Sequence, residues 1–203
     1  MNPPTNVIET EQKSDQLSVA AIGLLAMCLV TFAHEAVGHG GVCLLLGGHI
    51  HLLTSSVFRC DISSKWVDAG GPAVNLMCGL SALVARKLIS LRFAPIRLFL
   101  ILVTALSFFW ECGYLIQAMY KQNGDLYWFA FSLLGRVTIV ERFICAALGL
   151  GLYAASVRLT SRALLTVALP TTARTIARTA WIAATLGATL AAALGPGWGL
   201  PRA

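Results

Sequence analysis

The sequence predicts an all-α polytopic membrane protein of about five transmembrane helices, with a short β-like hairpin or membrane-edge loop after the first. Three observations predict it. Of 203 residues, 57% are hydrophobic and only 12% charged, and the mean hydropathy is +0.76, whereas soluble domains carry about a quarter charged residues. The apolar residues form uncharged runs long enough to cross a bilayer. The basic residues lie in the gaps between those runs, where membrane topology uses them. The net charge of +6, from 15 basic and 9 acidic residues, is therefore read as membrane orientation rather than a nucleic-acid surface. The length fits a single domain.

Residues 1–16 are polar and acidic, with Glu9, Glu11, Lys13 and Asp15, and contain Pro3 and Pro4. They lack the basic start and short apolar core of a cleavable leader, and the expectation is a disordered cytoplasmic tail. Residues 17–33 are uncharged, and apolar character returns over 40–48. One helix over 17–47 exceeds the ~20 residues needed to span a bilayer. Residues 49–58 are short and β-prone, with Ser and Thr between two apolar stretches, which predicts the hairpin. Gly70-Gly71-Pro72 is expected to open the second span, with Pro72 in its first turn, and the span runs to about residue 85. The third span covers 98–120 and is interrupted by Glu111. Asn123-Gly124-Asp125 signals a turn, and 126–134 is apolar but too short to cross. The fourth span has its core at 143–157, and the fifth covers 179–194, ended by Gly195-Pro196-Gly197. One transmembrane domain over 17–197 and a C-terminal tail over 198–203 follow. Among the six cysteines only Cys60 lies in a clearly polar stretch, so the others read as small apolar packing residues and no disulfide framework is expected.

The charge of each gap sets an orientation. The gap 86–97 carries Arg86, Lys87, Arg92 and Arg97 without an acid, and the gap 158–178 carries Arg158, Arg162, Arg174 and Arg178 without an acid. The gaps 48–68 and 121–142 mix both signs. With five spans the two basic gaps share a side. The positive-inside rule places them, and the N-terminus, in the cytoplasm. Trp66, Tyr120, Tyr127 and Trp128 flank the opposite face, where an aromatic belt is expected.

His34, Glu35 and His39 sit at the end of the first apolar run. Ionisable groups at that depth cost several kcal/mol, so they mark a functional site by default. The usual helical zinc motif separates its histidines by four positions, on one face. Here the separation is five, and an ideal α-helix turns about 500° over five residues, leaving the imidazoles ~140° apart. A π-type bulge would bring them together, and such bulges favour functional sites. Alternatively Glu35 and His39, four apart, form the ligand pair. His49 and His51 alternate on a strand and could bind metal, although an interfacial role is the simpler reading.

His34-Glu35-Ala36-Val37-Gly38-His39-Gly40, with the Leu-rich stretch ending in Gly47-Gly48, resembles the active-site helix of site-2-protease-like intramembrane zinc metalloproteases. Gly70-Gly71-Pro72-Ala73-Val74-Asn75 resembles the Gly-Pro-x-x-Asn segment of the bacterial members. Asn123-Gly124-Asp125 resembles a third segment in which an Asp ligates zinc. The resemblance covers roughly residues 17–160. Two features depart from the family pattern. One extra residue separates the histidines, a spacing shared with dipeptidyl peptidase III, and the family's Leu-Asp-Gly motif is missing. Charge counting also puts the motif toward the non-cytoplasmic side, whereas bacterial members carry it nearer the cytoplasm.

The resemblance implies Zn2+ held by His34, His39 and Asp125, with Glu111 as the alternative third ligand. It implies Glu35 as general base and later acid, and Asn75 as a hydrogen-bond donor to the substrate backbone or oxyanion. The expected reaction is hydrolysis of a peptide bond in a locally unwound membrane-protein segment. The expected location is a bacterial cytoplasmic membrane, with the lipid bilayer as partner and no nucleic acid. Two other readings use the same residues. One is a transporter or proton/metal relay, against which stand the five spans and the lack of a visible inverted repeat. The other is a protease-like binding protein without activity. Four histidines are too few for a histidine-rich di-iron desaturase.

Overall fold

The computed structural model of the chain describes residues 5–90, 92 and 94–195, with side chains from Asp15 onward. The tail expected at 198–203 lies outside the described residues. Helix α1 (Thr5–Phe32) continues into a π-helical segment (Ala33–Gly40) and a last α-helical turn, α2 (Gly41–Leu45). Strands β1 (Ile50–Leu53) and β2 (Phe58–Cys60) follow, then α3 (Lys65–Leu88), α4 (Ala94–Lys121), α5 (Asp125–Leu134), α6 (Ile139–Leu164) and α7 (Pro170–Leu194). Five helical stretches are long and apolar enough to cross a membrane: Asp15–Leu45, α3, α4, α6 and α7. Helix α5 is the short apolar piece. Among the described residues the chain is thus all-α, with five helices long and apolar enough to span a membrane and one two-stranded antiparallel hairpin.

Helix α4 is the centre of the bundle. Its buried residues Leu98, Ile101, Leu102, Val103 and Leu106 share one core with Val19, Ala26 and Val30 of α1, Ala82 of α3, Ala163 and Leu164 of α6, and Ala180 and Ala184 of α7. Small residues let the outer helices approach. A Cβ at Gly23 would lie 2.7 Å from the Ala180 carbonyl oxygen, so α1 and α7 touch backbone to backbone. Helix α6 leaves Phe143, Ile144, Leu148, Leu150 and Leu152 exposed. In a bilayer these side chains meet acyl chains rather than water.

Several boundaries differ from the sequence expectation, each for a local reason. The stretch 5–16 is helical rather than disordered. Glu, Gln and Lys favour helix, and extending a helix already nucleated by its apolar run costs little. Helix α3 begins at Lys65, not at Gly70. Ser64 is its N-cap and accepts a hydrogen bond from the Trp66 N–H. Pro72 therefore lies inside the helix and cannot donate to the carbonyl four residues back. Helix α6 begins at Ile139 because Thr138 and Glu141 form a reciprocal capping box.

The hairpin carries a correction to the cysteine reading. Cys43 and Cys60 are disulfide-bonded, with Cα atoms 6.3 Å apart across 17 residues of sequence. The hairpin folds back on the end of α2, and Gly48 leaves room for the bridge. A Cβ there would lie 2.9 Å from both sulfurs and from an Asp61 carboxylate oxygen. The bridge is flanked by the exposed His49, whose backbone N–H and ring contact Asp61 at 2.7 and 3.1 Å. These two hydrogen bonds hold the Asp61 carboxyl below its usual range. Thr54 closes the turn, its hydroxyl oxygen accepting from the Val57 N–H at 2.9 Å. His51 falls at the register shift between Ile50 and Leu52.

The π-helical segment packs on α3 through glycines. A Cβ at Gly38 would lie 2.5 Å from Gly71 Cα and 2.6 Å from the Gly70 carbonyl oxygen. A Cβ at Gly71 would collide with the rings of His39 and His34. Gly38→Ala is therefore expected to destabilise the protein by roughly 1–3 kcal/mol, the usual cost of overpacking. Gly113 faces open space on α4, and Gly113→Ala is expected to stabilise by about 0.5–1 kcal/mol through helix propensity. Thermal unfolding of the two variants in detergent checks the opposite signs.

Candidate metal centre

The spacing His34-x-x-x-x-His39 makes geometric sense in the π-helix. Hydrogen bonds from each residue to the fifth before it stack such residues on one face. The N–H of Gly41 accordingly reaches the carbonyl of Ala36. His34 and His39 thus point the same way, with ring centroids 4.9 Å apart and Nε2 atoms 3.3 Å apart. Asp125, in the first turn of α5, brings its Oδ2 to 3.6 Å from His34 Nε2 and 3.3 Å from His39 Nε2. The turn Asn123-Gly124 sets this approach. Gly124 has φ +95°, a conformation that favours glycine. The Asp125 N–H donates to the Tyr114 hydroxyl at 3.0 Å, and that hydroxyl donates to Asp125 Oδ2 at 3.1 Å. Burial alone would raise the Asp125 carboxyl. The two imidazoles against Oδ2 outweigh burial and hold it well below the usual carboxylate range.

The opposite edge of each imidazole fixes its tautomer. His39 Nδ1 is 2.7 Å from the carbonyl oxygen of Val67, which can only accept, so Nδ1 carries the proton. His34 Nδ1 is 3.0 Å from Glu111 Oε1. That oxygen also accepts the Asn75 amide N–H at 2.7 Å, so it receives from both neighbours. With both rings neutral, the two Nε2 atoms present lone pairs toward the Asp125 carboxylate oxygen. Three such donor atoms facing one point call for a cation among them, either a proton on a ring or a metal ion.

The distances fit a small tetrahedral ion. Bonds of about 2.0–2.1 Å at tetrahedral angles separate neighbouring ligand atoms by roughly 3.3–3.4 Å. The observed triangle has edges of 3.3, 3.3 and 3.6 Å. The group His34, His39 and Asp125 could hold a metal ion. The donor types suit zinc and several other divalent ions alike. A carboxylate or carbonyl behind each ligating histidine is the usual support of such centres.

The structure separates the remaining candidates. Glu111 is buried and lies behind His34, against Nδ1, rather than beside Asp125. Asn75 is fully buried, with its amide committed to Glu111. Glu35 lies beside His34 and lines a cavity of about 1050 Å³ that also contacts His39 and Asp125. His49 is on the hairpin, outside the triangle, paired with Asp61. Cys43, Cys60 and Asp61 also approach one another, but the two sulfurs are joined in the disulfide. Trp110 and Phe58 stack on His34 and His39, with centroids at 5.2 and 5.5 Å. Sequence reading did not single out these two rings. Trp110 precedes Glu111 at the depth of the motif, and that adjacency is the one signal that pointed to it.

No family model, curated protein or solved structure matches this chain.

Metal analysis of detergent-purified protein is expected to find about one divalent ion per chain. His34→Ala, His39→Ala or Asp125→Ala should abolish retention. Glu111→Ala should weaken affinity by about 10–100-fold, as loss of a ligand's hydrogen-bond partner does. Glu111→Gln keeps an acceptor for the His34 Nδ1 proton and should recover most of that loss. Competition with a chelator of known affinity reads all the variants.

Proposed function

We propose that the chain is an intramembrane metalloendopeptidase, related to the site-2-protease-like family that its motifs resemble. The observation carrying this reading is the triangle of donor atoms from His34, His39 and Asp125, set beside a further carboxylate, Glu35. A divalent metal, zinc by preference, supplies Lewis acidity and a bound water with its pKa lowered toward about 7.

The chain's own residues divide the remaining work. Glu111 is occupied by His34 and Asn75, and Asp125 by the two imidazoles and Tyr114. Glu35 is therefore the carboxylate at the cavity that is available as a base. Its carboxylate holds the proton lost by the attacking water and returns it to the leaving amine nitrogen. Asn75 acts here as a positioning residue. It anchors Glu111, which fixes the His34 ring. This replaces the expected contact with the substrate backbone.

The substrate is a membrane-protein segment or peptide that can unwind locally, because a helix shields its own peptide bonds. Ser55, Ser56, Val57 and Phe58 border the cavity, so the hairpin offers backbone groups to an extended chain by strand addition.

Two independent observations support an orientation with the site on the non-cytoplasmic side of a bacterial cytoplasmic membrane. The gaps 86–97 and 158–178, both basic without acids, belong to the opposite ends of the spans. The Cys43–Cys60 disulfide lies at the motif's end, and disulfides persist in oxidising compartments.

Glu35→Gln is expected to retain metal and lower cleavage of transmembrane peptides by about 10²–10⁴-fold, the worth of a general acid–base group. A quenched-fluorescence set of such peptides in micelles provides the assay. Metal-loaded wild type that cuts none of them, indistinguishable from Glu35→Gln, would overturn the reading. For orientation, single cysteines at two exposed serines are compared in a background where the native cysteines are replaced. A membrane-impermeant maleimide applied to intact cells should label Ser56→Cys on the hairpin and spare Ser90→Cys in the basic gap.

A further inference from the structure

A second cavity of about 350 Å³ opens beside Glu35, between α1 and α7. Its lining includes Met27, Ala36, Trp110, Gly187 and Ala191 of α7, and Leu53 of β1. It shares Glu35, Ser55, Trp110 and Ala188 with the larger cavity that holds the metal ligands. Trp110 borders both, and its ring also stacks on His34 at 5.2 Å. The cavity exists because α7 presents Gly187, Ala188 and Ala191 where larger residues would fill the space. A Cβ on Gly187 would already collide with the Leu24 side chain.

We infer that this cavity is the specificity pocket of the site, and that it receives the large apolar side chain of the substrate residue next to the cleaved bond. The inference rests on the peptidase reading above. Its lining is mainly apolar, with Thr31, Thr54, Ser55 and Glu35 as the polar exceptions beside carbon, thioether, thiol and indole groups. A polar or charged side chain would lose its water there without gaining a full set of partners. An apolar side chain gains burial at every added methylene. The position beside Glu35 ties the occupant to the reacting bond, which a crevice elsewhere on the lipid face would not do.

The test uses two peptide hydroxamates that differ only in one side chain, hydrogen or benzyl. Each is titrated calorimetrically into metal-loaded, detergent-purified protein. Wild type should bind the benzyl compound at least about tenfold more tightly, the scale of discrimination in an apolar pocket. Gly187→Leu and Ala191→Leu should each erase that preference while leaving affinity for the unsubstituted hydroxamate unchanged. Leu24 is the flexible group displaced in the first variant, so the fold should survive, and unchanged binding of the small compound reports that it has. If the preference survives both substitutions, or if wild type shows none, the pocket assignment is wrong while the metal site stands. A preference abolished by added phospholipid would also overturn it, because the cavity would then be a lipid site. If neither hydroxamate binds metal-loaded wild type, the peptidase reading itself falls, and the pocket with it.

Discussion

The contact on which the site depends is the crossing of two backbones, where the π-helical turn meets α3 at Gly38, Gly70 and Gly71. No side chain separates the helices there. Two consequences follow. The crossing brings the Val67 carbonyl within 2.7 Å of His39 Nδ1, which fixes that ring. It also places Gly71 against the Nε2 edges of both histidines, where a Cβ would occupy the space between them. The glycines thus set the distance between elements and keep the centre of the site clear. The π-winding and the crossing depend on each other. Histidines five apart converge only in the wider turn, and that turn has its ring positions secured by what packs against it.

A polar cluster among membrane-spanning helices needs compensation from its neighbours wherever it is packed away from water. Here the supply comes largely from α3 and α4. Glu111 binds His34, Asn75 binds Glu111, and Tyr114 binds Asp125. Three atoms of the same region, Asn75 Oδ1, Ser107 Oγ and Glu111 Oε2, remain buried without a protein partner. Ser107 and Glu111 are four apart on α4, and Gly79 of α3, four after Asn75, faces Ser107 across the interface. The three groups therefore belong to one strip between α3 and α4. Buried polar groups left over in this way are commonly satisfied by ordered water. The strip extends the support of His34 away from the site, so the His34 ring is held by a network and not by one carboxylate.

Much of the architecture was legible in the sequence because membrane spans are long, uncharged and separated by charge. The five spans and the hairpin follow from that pattern. The need for a wider turn was legible too, from the separation of His34 and His39 and the rotation of an ideal helix. What escaped reading was decided by tertiary partners or by single caps. Ser64 starts α3 seven residues before Gly71, and one capping serine in a Ser-rich stretch is a weak signal against a Gly-Gly-Pro. Cys43 lies in an apolar run, and its bond to Cys60 depends on how the hairpin folds back. Glu111 was placed at the right depth by the length of α4. Whether a carboxylate at that depth reaches Nε2 or Nδ1 of a histidine is a matter of ångströms, which no periodicity carries.

In the proposed peptidase, the disulfide and the His34, His39 and Asp125 group would place opposite demands on one short segment. A peptidase must admit a chain to the cavity beside Glu35, and the hairpin borders that cavity through Ser55 to Phe58. A hairpin of two short strands is marginally stable alone, so without a tether it would not keep Phe58 stacked on His39. Cys60, at the far end of β2, is bonded to Cys43 at the end of the motif helix. The tether therefore acts on the base of the hairpin and leaves its turn, Thr54 to Val57, to the local hydrogen bonds of Thr54. Movement of the turn is then separable from movement of the base. A shift of the turn would alter a border of the cavity while leaving Phe58 stacked on His39. In the proposed peptidase, a tethered base with an untethered tip would reconcile fixed positions for His34 and His39 with entry of a long substrate.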